Sequence, residues 1–173
     1  ALQKAYQLGV QEAVVDVDWI LAWQVSLRLQ QGDLSFAVDW ITRAGLSLDD
    51  PPEYLRLESQ LTHARVLLAQ GRHADARRWL SRLEGFVRAH SMKRWRITVH
   101  ILQALVAERG GDSAMARTLL SRAVEIAAPG DYVRAFLDEG PAALALLHDV
   151  RHVAPAFVNR VLEGAGETVA TGP

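Results

Sequence analysis

Two histidines four residues apart, His148 and His152, are the first candidates for chemistry in this sequence. On an α-helix, side chains at this spacing lie on one face, where two imidazole rings can supply half of a zinc site. Asp149 is the nearest further ligand, but it points to another face of the same helix. Because positive charge also suits a helix end, we interpret both histidines as surface residues and predict no metal site.

Motifs for catalysis are absent from the 173 residues. The chain has no cysteine, no His-Glu-x-x-His, no Gly-x-Ser-x-Gly and no Gly-x4-Gly-Lys-Ser/Thr phosphate-binding loop. Carboxylates are numerous, but none forms a convincing pair in an apolar context. We therefore predict a protein that is not an enzyme, with no catalytic residue and no cofactor bound by these residues.

Three similar turns indicate a repeat that positions the remaining candidates. The dipeptides Gly32-Asp33, Gly71-Arg72 and Gly111-Asp112 lie 39 and 40 residues apart, and an alanine follows each glycine after five residues. Glycine at the end of a helix accepts the left-handed conformation, and a small alanine lets the next helix approach closely. The spacing therefore predicts two helices per repeat, stacked on their neighbours.

The predicted elements are helices throughout, so we expect an all-α fold. Helix pairs are predicted at about 15–45, 52–89 and 93–127, with shorter helices at 132–164 as a capping pair and a linker at 165–173. No segment alternates with period two, which excludes strands. We expect a single helical-repeat domain over residues 1–164, an α-solenoid of antiparallel helix pairs.

The first helices of such pairs line a concave groove, which is where repeat proteins usually bind. The groove positions that carry polar or aromatic side chains are Trp19, Ser26, Glu58, Arg65, Thr98 and Glu108. An aromatic ring beside charged donors and acceptors suits a small polar ligand or a peptide. The alternative is that Trp19 packs against the preceding helix pair.

Two further histidines, His63 and His100, lie in the first helices of consecutive pairs, at positions that face the neighbouring helix. We interpret them as packed interior residues.

A basic stretch covers residues 72–96, opposed only by Asp75 and Glu84. The candidate interaction residues are Arg72, Arg77, Arg78, Arg82, Arg94 and Arg96. They could dock another domain, a second copy of the chain or a nucleic-acid backbone. A solvated helix face is the simpler interpretation, and the formal net charge of −1 argues against direct, specific DNA binding.

The composition is that of a globular protein, with 50% hydrophobic and 23% charged residues. No apolar run is long enough to span a bilayer, and the first residues lack the apolar core of a signal peptide. We expect a cytoplasmic location and no membrane partner.

The repeat pattern resembles the tetratricopeptide repeat (TPR), although its period is nearer 40 than 34 residues. A sharper resemblance lies in residues 122–141, Arg-Ala-Val-Glu-Ile-Ala-Ala-Pro-Gly-Asp-Tyr-Val-Arg-Ala-Phe-Leu-Asp-Glu-Gly-Pro. This run is similar to a stretch of MalT-like regulators of the LuxR family, in which it follows the last repeats.

The resemblance implies a non-catalytic sensor and protein-interaction region of a bacterial transcriptional regulator. Its partners would be a small-molecule inducer or a regulatory protein, together with the flanking ATPase and helix-turn-helix domains of a longer chain. Self-association is also expected, because the first nine residues leave an apolar edge. The alternative is a stand-alone TPR-like scaffold that binds a peptide segment of another protein.

Overall fold

The computed structural model describes residues 20–166, and every regular element within them is a helix. Helix α1 covers residues 20–30 of the described part. It is followed by α2 (Leu34–Arg43), α3 (Leu57–Ala69), α4 (His73–Ala89), α5 (Lys93–Arg109), α6 (Ser113–Ala127), α7 (Arg134–Leu137), α8 (Pro141–Leu147) and α9 (Pro155–Gly164). Short 3₁₀ helices lie at Ala128–Gly130 and His148–Val153. The predicted all-α, TPR-like fold is confirmed.

The turns that gave the repeat its signature have the expected geometry. Gly32, Gly71 and Gly111 have φ angles of 87°, 72° and 82°. At the second of these turns, the N–H of Arg72 donates to the carbonyl of Leu67, five residues back, at 2.9 Å. This bond closes the helix end, because it satisfies a carbonyl that has no partner within the helix.

The chain groups into two compact units, Ala1–Trp79 and Leu80–Pro173. The single domain that the sequence predicts over residues 1–164 stays a prediction.

In the first unit, an apolar cluster surrounds the buried ring of Trp40, which is 4% exposed. Buried side chains of α1, α2 and α3 contribute to it, among them Ala22, Val25, Ala37 and Val66. Helices α2 and α3 pack against each other. Burial of this apolar surface is the main force that holds α1 against them.

Helix α3 begins later than the pattern predicts, at Leu57 and not at 52. Proline disfavours a helical conformation in the residue before it, and Pro51 and Pro52 are consecutive. The buried Gln60 then holds the preceding loop: its Nε2 donates to the carbonyl of Pro51 at 2.8 Å, and its Oε1 accepts from the N–H of Glu53 at 3.1 Å.

In the second unit, α5 is the central element. It packs against α6, α7 and α8, and ten of its seventeen residues are buried. A helix that is covered on several sides needs apolar residues around most of its circumference, as Ile97, Val99, Ile101 and Leu102 provide. Phe136 of α7 meets Phe157 of α9 edge to face, at 5.6 Å between ring centroids.

None of the helices described over residues 20–166 is long and apolar enough to cross a membrane.

Candidate ligand-binding site

Four side chains of the first unit form one hydrogen-bonded series, called here the polar chain: Ser26, Thr62, Arg65 and Glu58. The Arg65 guanidinium donates to Glu58 Oε1 at 3.1 Å and to Thr62 Oγ1 at 3.2 Å, through the same nitrogen. Thr62 Oγ1 lies 3.3 Å from Ser26 Oγ. The polar chain therefore links α3 to α1.

The direction of these bonds follows from the number of hydrogens available. A hydroxyl has one hydrogen, and that of Ser26 donates to the carbonyl of Ala22 at 3.1 Å. The hydroxyl of Thr62 has two possible acceptors, Ser26 Oγ at 3.3 Å and the carbonyl of Ala22 at 3.5 Å. In either case Thr62 accepts from Arg65, so donation runs from the guanidinium toward α1.

The ion pair of the polar chain is mostly buried. The Arg65 and Glu58 side chains are 15% and 12% exposed. At this depth the attraction between the two charges is stronger than at the surface, and so is the cost of leaving either charge unpaired. The arrangement holds a planar cationic donor in a fixed orientation with an anionic acceptor beside it, which suits recognition of a small polar ligand.

Of the six predicted groove residues, the structure brings three together: Ser26, Glu58 and Arg65. Trp19 lies outside the described residues. Thr98 and Glu108 both belong to α5 in the second unit; Thr98 is 7% exposed, whereas Glu108 is half-buried. Ten residues separate these two, or about 15 Å along the helix axis, so they do not act on one small ligand.

Thr62 is the member of the polar chain that the sequence analysis missed. It is fully buried and lies outside the predicted groove positions. A signal for it did exist, because it follows Glu58 by four residues and precedes Arg65 by three, which places all three on one face of α3.

The predicted basic patch is exposed over most of its residues. Arg72, Arg77, Arg78, Arg82 and Arg94 are all exposed, and Arg96 is half-buried. Two of them share one carboxylate, because Asp75 lies 2.7 Å from Arg72 and 3.1 Å from Arg78. The Arg94 guanidinium lies over the Trp95 ring, 5.3 Å from its centroid. Which partner this patch binds stays a prediction.

His63 lies in the interior of the first unit, as the sequence analysis interprets it. It is 5% exposed, and its ring lies 6.2 Å from that of Trp79 between centroids. Its Nδ1 is buried with no hydrogen-bond partner. Burial lowers the pKa of His63, the charge of Arg72 lowers it further, and Asp50 acts in the opposite direction.

His100 is the corresponding interior histidine of the second unit and is 1% exposed. Its Nδ1 lies 3.1 Å from Gln103 Oε1, while its Nε2 has no hydrogen-bond partner. Burial is the largest cause of its lowered pKa, followed by the bond to Gln103, which acts upward.

His148 and His152 are exposed, but their segment is the 3₁₀ helix His148–Val153 and not an α-helix. With three residues per turn, side chains four apart point in directions about 120° apart. The two rings therefore do not share a face. Within residues 20–166, no group of three or more His, Cys, Asp or Glu is placed to hold a metal ion.

The sequence is similar to one known protein family. The family model of MalT-like TPR regions matches residues 1–152, which is most of the chain. The chain therefore belongs to the family of MalT-like TPR regions, the helical repeat regions of MalT-type regulators. Neither the curated proteins nor the solved structures include a significant match.

Proposed function

We propose that this chain is the non-catalytic sensor region of a LuxR-family transcriptional regulator, located in the cytoplasm, and that it binds a small polar inducer at the polar chain. One observation carries the proposal: predicted groove residues from two different first helices, α1 and α3, meet in one hydrogen-bonded series. A ligand that contacts the Arg65–Glu58 pair would act on both helices.

In the proposed mechanism, the ligand shifts the population between two arrangements of α1 and α3. A ligand that binds one arrangement of α1 and α3 more tightly favours that arrangement by its difference in affinity. In a longer chain, the change would reach a flanking ATPase and a helix-turn-helix domain, which we propose as neighbours in the parent protein. Family membership supports this context, because MalT-like TPR regions are parts of such regulators.

The test is a thermal-shift screen of the chain against polar metabolites. A ligand at a hundredfold excess over its Kd adds about 2.7 kcal/mol to the unfolding free energy, which is readily visible as a rise in Tm. The key variant is Arg65→Lys, which keeps the charge but loses the forked donor geometry. Because we expect the variant to have a lower Tm even without ligand, the shift is measured from each protein's own unliganded Tm.

Arg28→Lys is the matched control, since Arg28 also pairs with a carboxylate of the same unit, that of Asp33, but is 54% exposed. We expect Arg65→Lys to lose the ligand-induced shift and Arg28→Lys to keep it. An equal shift in both variants would place the ligand elsewhere. If no metabolite shifts the Tm and the chain captures a defined peptide instead, the scaffold alternative is the better account.

The regulator context has its own test in the gene sequence. A phosphate-binding loop encoded upstream and a helix-turn-helix encoded downstream are expected. A stop codon directly after residue 173, with no ATPase upstream, would contradict the context and leave the ligand-binding proposal untouched.

A further inference from the structure

Two buried nitrogens on one face of α5 have no hydrogen-bond partner: Nε of Arg96 and Nε2 of His100. The residues are four apart, so their side chains are neighbours on the helix surface. A buried polar group without a partner costs roughly 1–3 kcal/mol, and most such groups in folded proteins are satisfied. Two on one face indicate that a molecule belongs there.

The chemistry of the two atoms selects the kind of molecule. Arg96 Nε can only donate a hydrogen bond. The Nδ1 of His100 lies 3.1 Å from Gln103 Oε1, to which it donates when it carries the hydrogen. In the neutral ring Nε2 is then an acceptor, and Nε2 becomes a donor only when the ring is doubly protonated. When His100 is protonated, both nitrogens are donors on neighbouring side chains of α5, and an oxyanion has the several lone pairs that two donors need.

Two positive side chains, Arg96 and Arg122 on α6, and one negative one, Glu84, act on the pKa of His100, and Glu84 has the largest effect of the three. A protonated His100 adds a further positive charge beside Arg96. Of the other helices packed on α5, α8 has no titratable residue, and Arg134 of α7 is 77% exposed and paired with Asp138 at 2.8 Å. An anion would offset this positive charge.

We propose that Arg96 and His100 form a binding site for the oxyanion group of a small ligand, a tetrahedral phosphate or sulfate or a carboxylate. The site involves none of the residues of the polar chain and does not depend on the proposed inducer site. Binding takes up a proton on His100, because the anion stabilises the imidazolium. Affinity therefore increases as the pH falls.

Sulfate is the first probe, since its charge is constant over the pH range in which histidine titrates. It also stabilises proteins in general through exclusion from their surface, so the comparison between variants carries the test. Arg96→Gln removes the proposed ligand contact. The matched control is Arg94→Gln, which removes an equal charge two residues away at an exposed position.

We expect sulfate to raise the Tm of the wild type and of Arg94→Gln more than that of Arg96→Gln at equal ionic strength. In NMR titrations, the ring signals of His100 should move with sulfate, whereas those of His63, which is also buried, should not. The apparent Kd should rise about tenfold per pH unit above the pKa of His100 in the free protein. Phosphate and acetate in place of sulfate then distinguish a tetrahedral from a carboxylate ligand.

The proposal is overturned by equal sulfate responses in the wild type and both variants, or by His100 signals that sulfate does not move. Either result would mean that ordered water alone satisfies the two nitrogens. If Arg96→Gln does not fold, the wild-type NMR titration and Arg96→Lys still decide the matter. The lysine variant keeps the charge but lacks the Nε–H, so it should bind sulfate more weakly.

Discussion

Arg65 and Glu58 lie two helical turns apart on α3 and form an ion pair of 3.1 Å that is mostly buried. Surface ion pairs contribute about 0–1 kcal/mol, whereas removing one member of a buried pair costs about 3–5 kcal/mol. At 12–15% exposure the pair lies between these limits. The ion pair therefore stabilises the fold, in addition to any part it has in binding a ligand.

We therefore expect Glu58→Gln to destabilise the chain by about 1–3 kcal/mol, because the mostly buried Arg65–Glu58 ion pair is then lost. Urea unfolding at neutral pH measures the change. The control is the exposed ion pair of Arg28 and Asp33. Because Asp33 also caps α2, the control variant changes the arginine. Arg28→Ala should cost at most about 1 kcal/mol. Equal losses in the two variants would show that burial adds nothing to the Arg65–Glu58 pair.

Ser91 occupies the position that glycine holds in the other helix-ending turns. Its φ angle is 56°, and the N–H of Met92 donates to the carbonyl of Val87 at 2.9 Å, which is the bond that Arg72 makes after Gly71. A side chain in this left-handed region is strained. Ser91→Gly should stabilise the chain by about 0.5–1 kcal/mol, measured by urea unfolding.

The reciprocal variant is Gly71→Ser. A Cβ atom at Gly71 meets no other atom within 4 Å, so the variant tests backbone conformation alone. It should lose about as much as Ser91→Gly gains. A loss in both variants would mean that the Ser91 side chain makes a favourable contact that outweighs the backbone strain.

The Ser91 turn also shows how far the sequence could predict this fold. The pattern of Gly32, Gly71 and Gly111 predicted the helix ends correctly, because only a few residue types accept a left-handed conformation. The same reasoning missed Ser91, whose side chain gives no sign of that conformation. Helix α4 ends at residue 89, α5 begins at 93 and α6 ends at 127, as the predicted pairs 52–89 and 93–127 have it. Helix α3 starts five residues late, after the loop that Gln60 holds.

The candidate site was predicted less completely, for a reason that Thr98 illustrates. Helical periodicity gives the face on which a residue lies, but not how many elements cover the helix. Because α5 packs against α6, α7 and α8, Thr98 is buried and does not line an open groove. On α3, periodicity did group Glu58 with Arg65, but the link from Thr62 to Ser26 on α1 depends on tertiary packing.

The two buried histidines make stability depend on pH. Their pKa values in the folded chain lie below the ordinary value of about 6.5, so the unfolded chain binds more protons. The part of the unfolding free energy that depends on these two histidines is therefore at its maximum above about pH 6.5. It falls as the pH decreases from there toward the folded pKa values. Below the folded pKa values both states bind the same protons, and the histidines cause no further decline.

Urea unfolding at a series of pH values below neutrality, without added sulfate or phosphate, measures this dependence. Replacing His63 and His100 together with glutamine should flatten the decline, since glutamine does not titrate. A decline of equal steepness in the double variant would assign the acid sensitivity to carboxylates.

Gly130 lies in the run of residues that resembles MalT-like regulators, and its neighbour Tyr132 explains why glycine is present. A Cβ atom at Gly130 would clash with Cε2 of the Tyr132 ring, so the ring or the backbone would have to move. Introducing such a clash costs typically about 1–3 kcal/mol. We expect Gly130→Ala to destabilise the chain by that amount, measured by urea unfolding.

A double-mutant cycle separates this clash from any change in backbone freedom. The change Gly130→Ala is repeated in a Tyr132→Ala background, where no ring stands in the way. Because residues in contact are coupled, the cost of Gly130→Ala should largely disappear there. If the cost is the same in both backgrounds, the turn at Ala128–Gly130 requires glycine for its backbone alone, and Tyr132 is retained for some other contact.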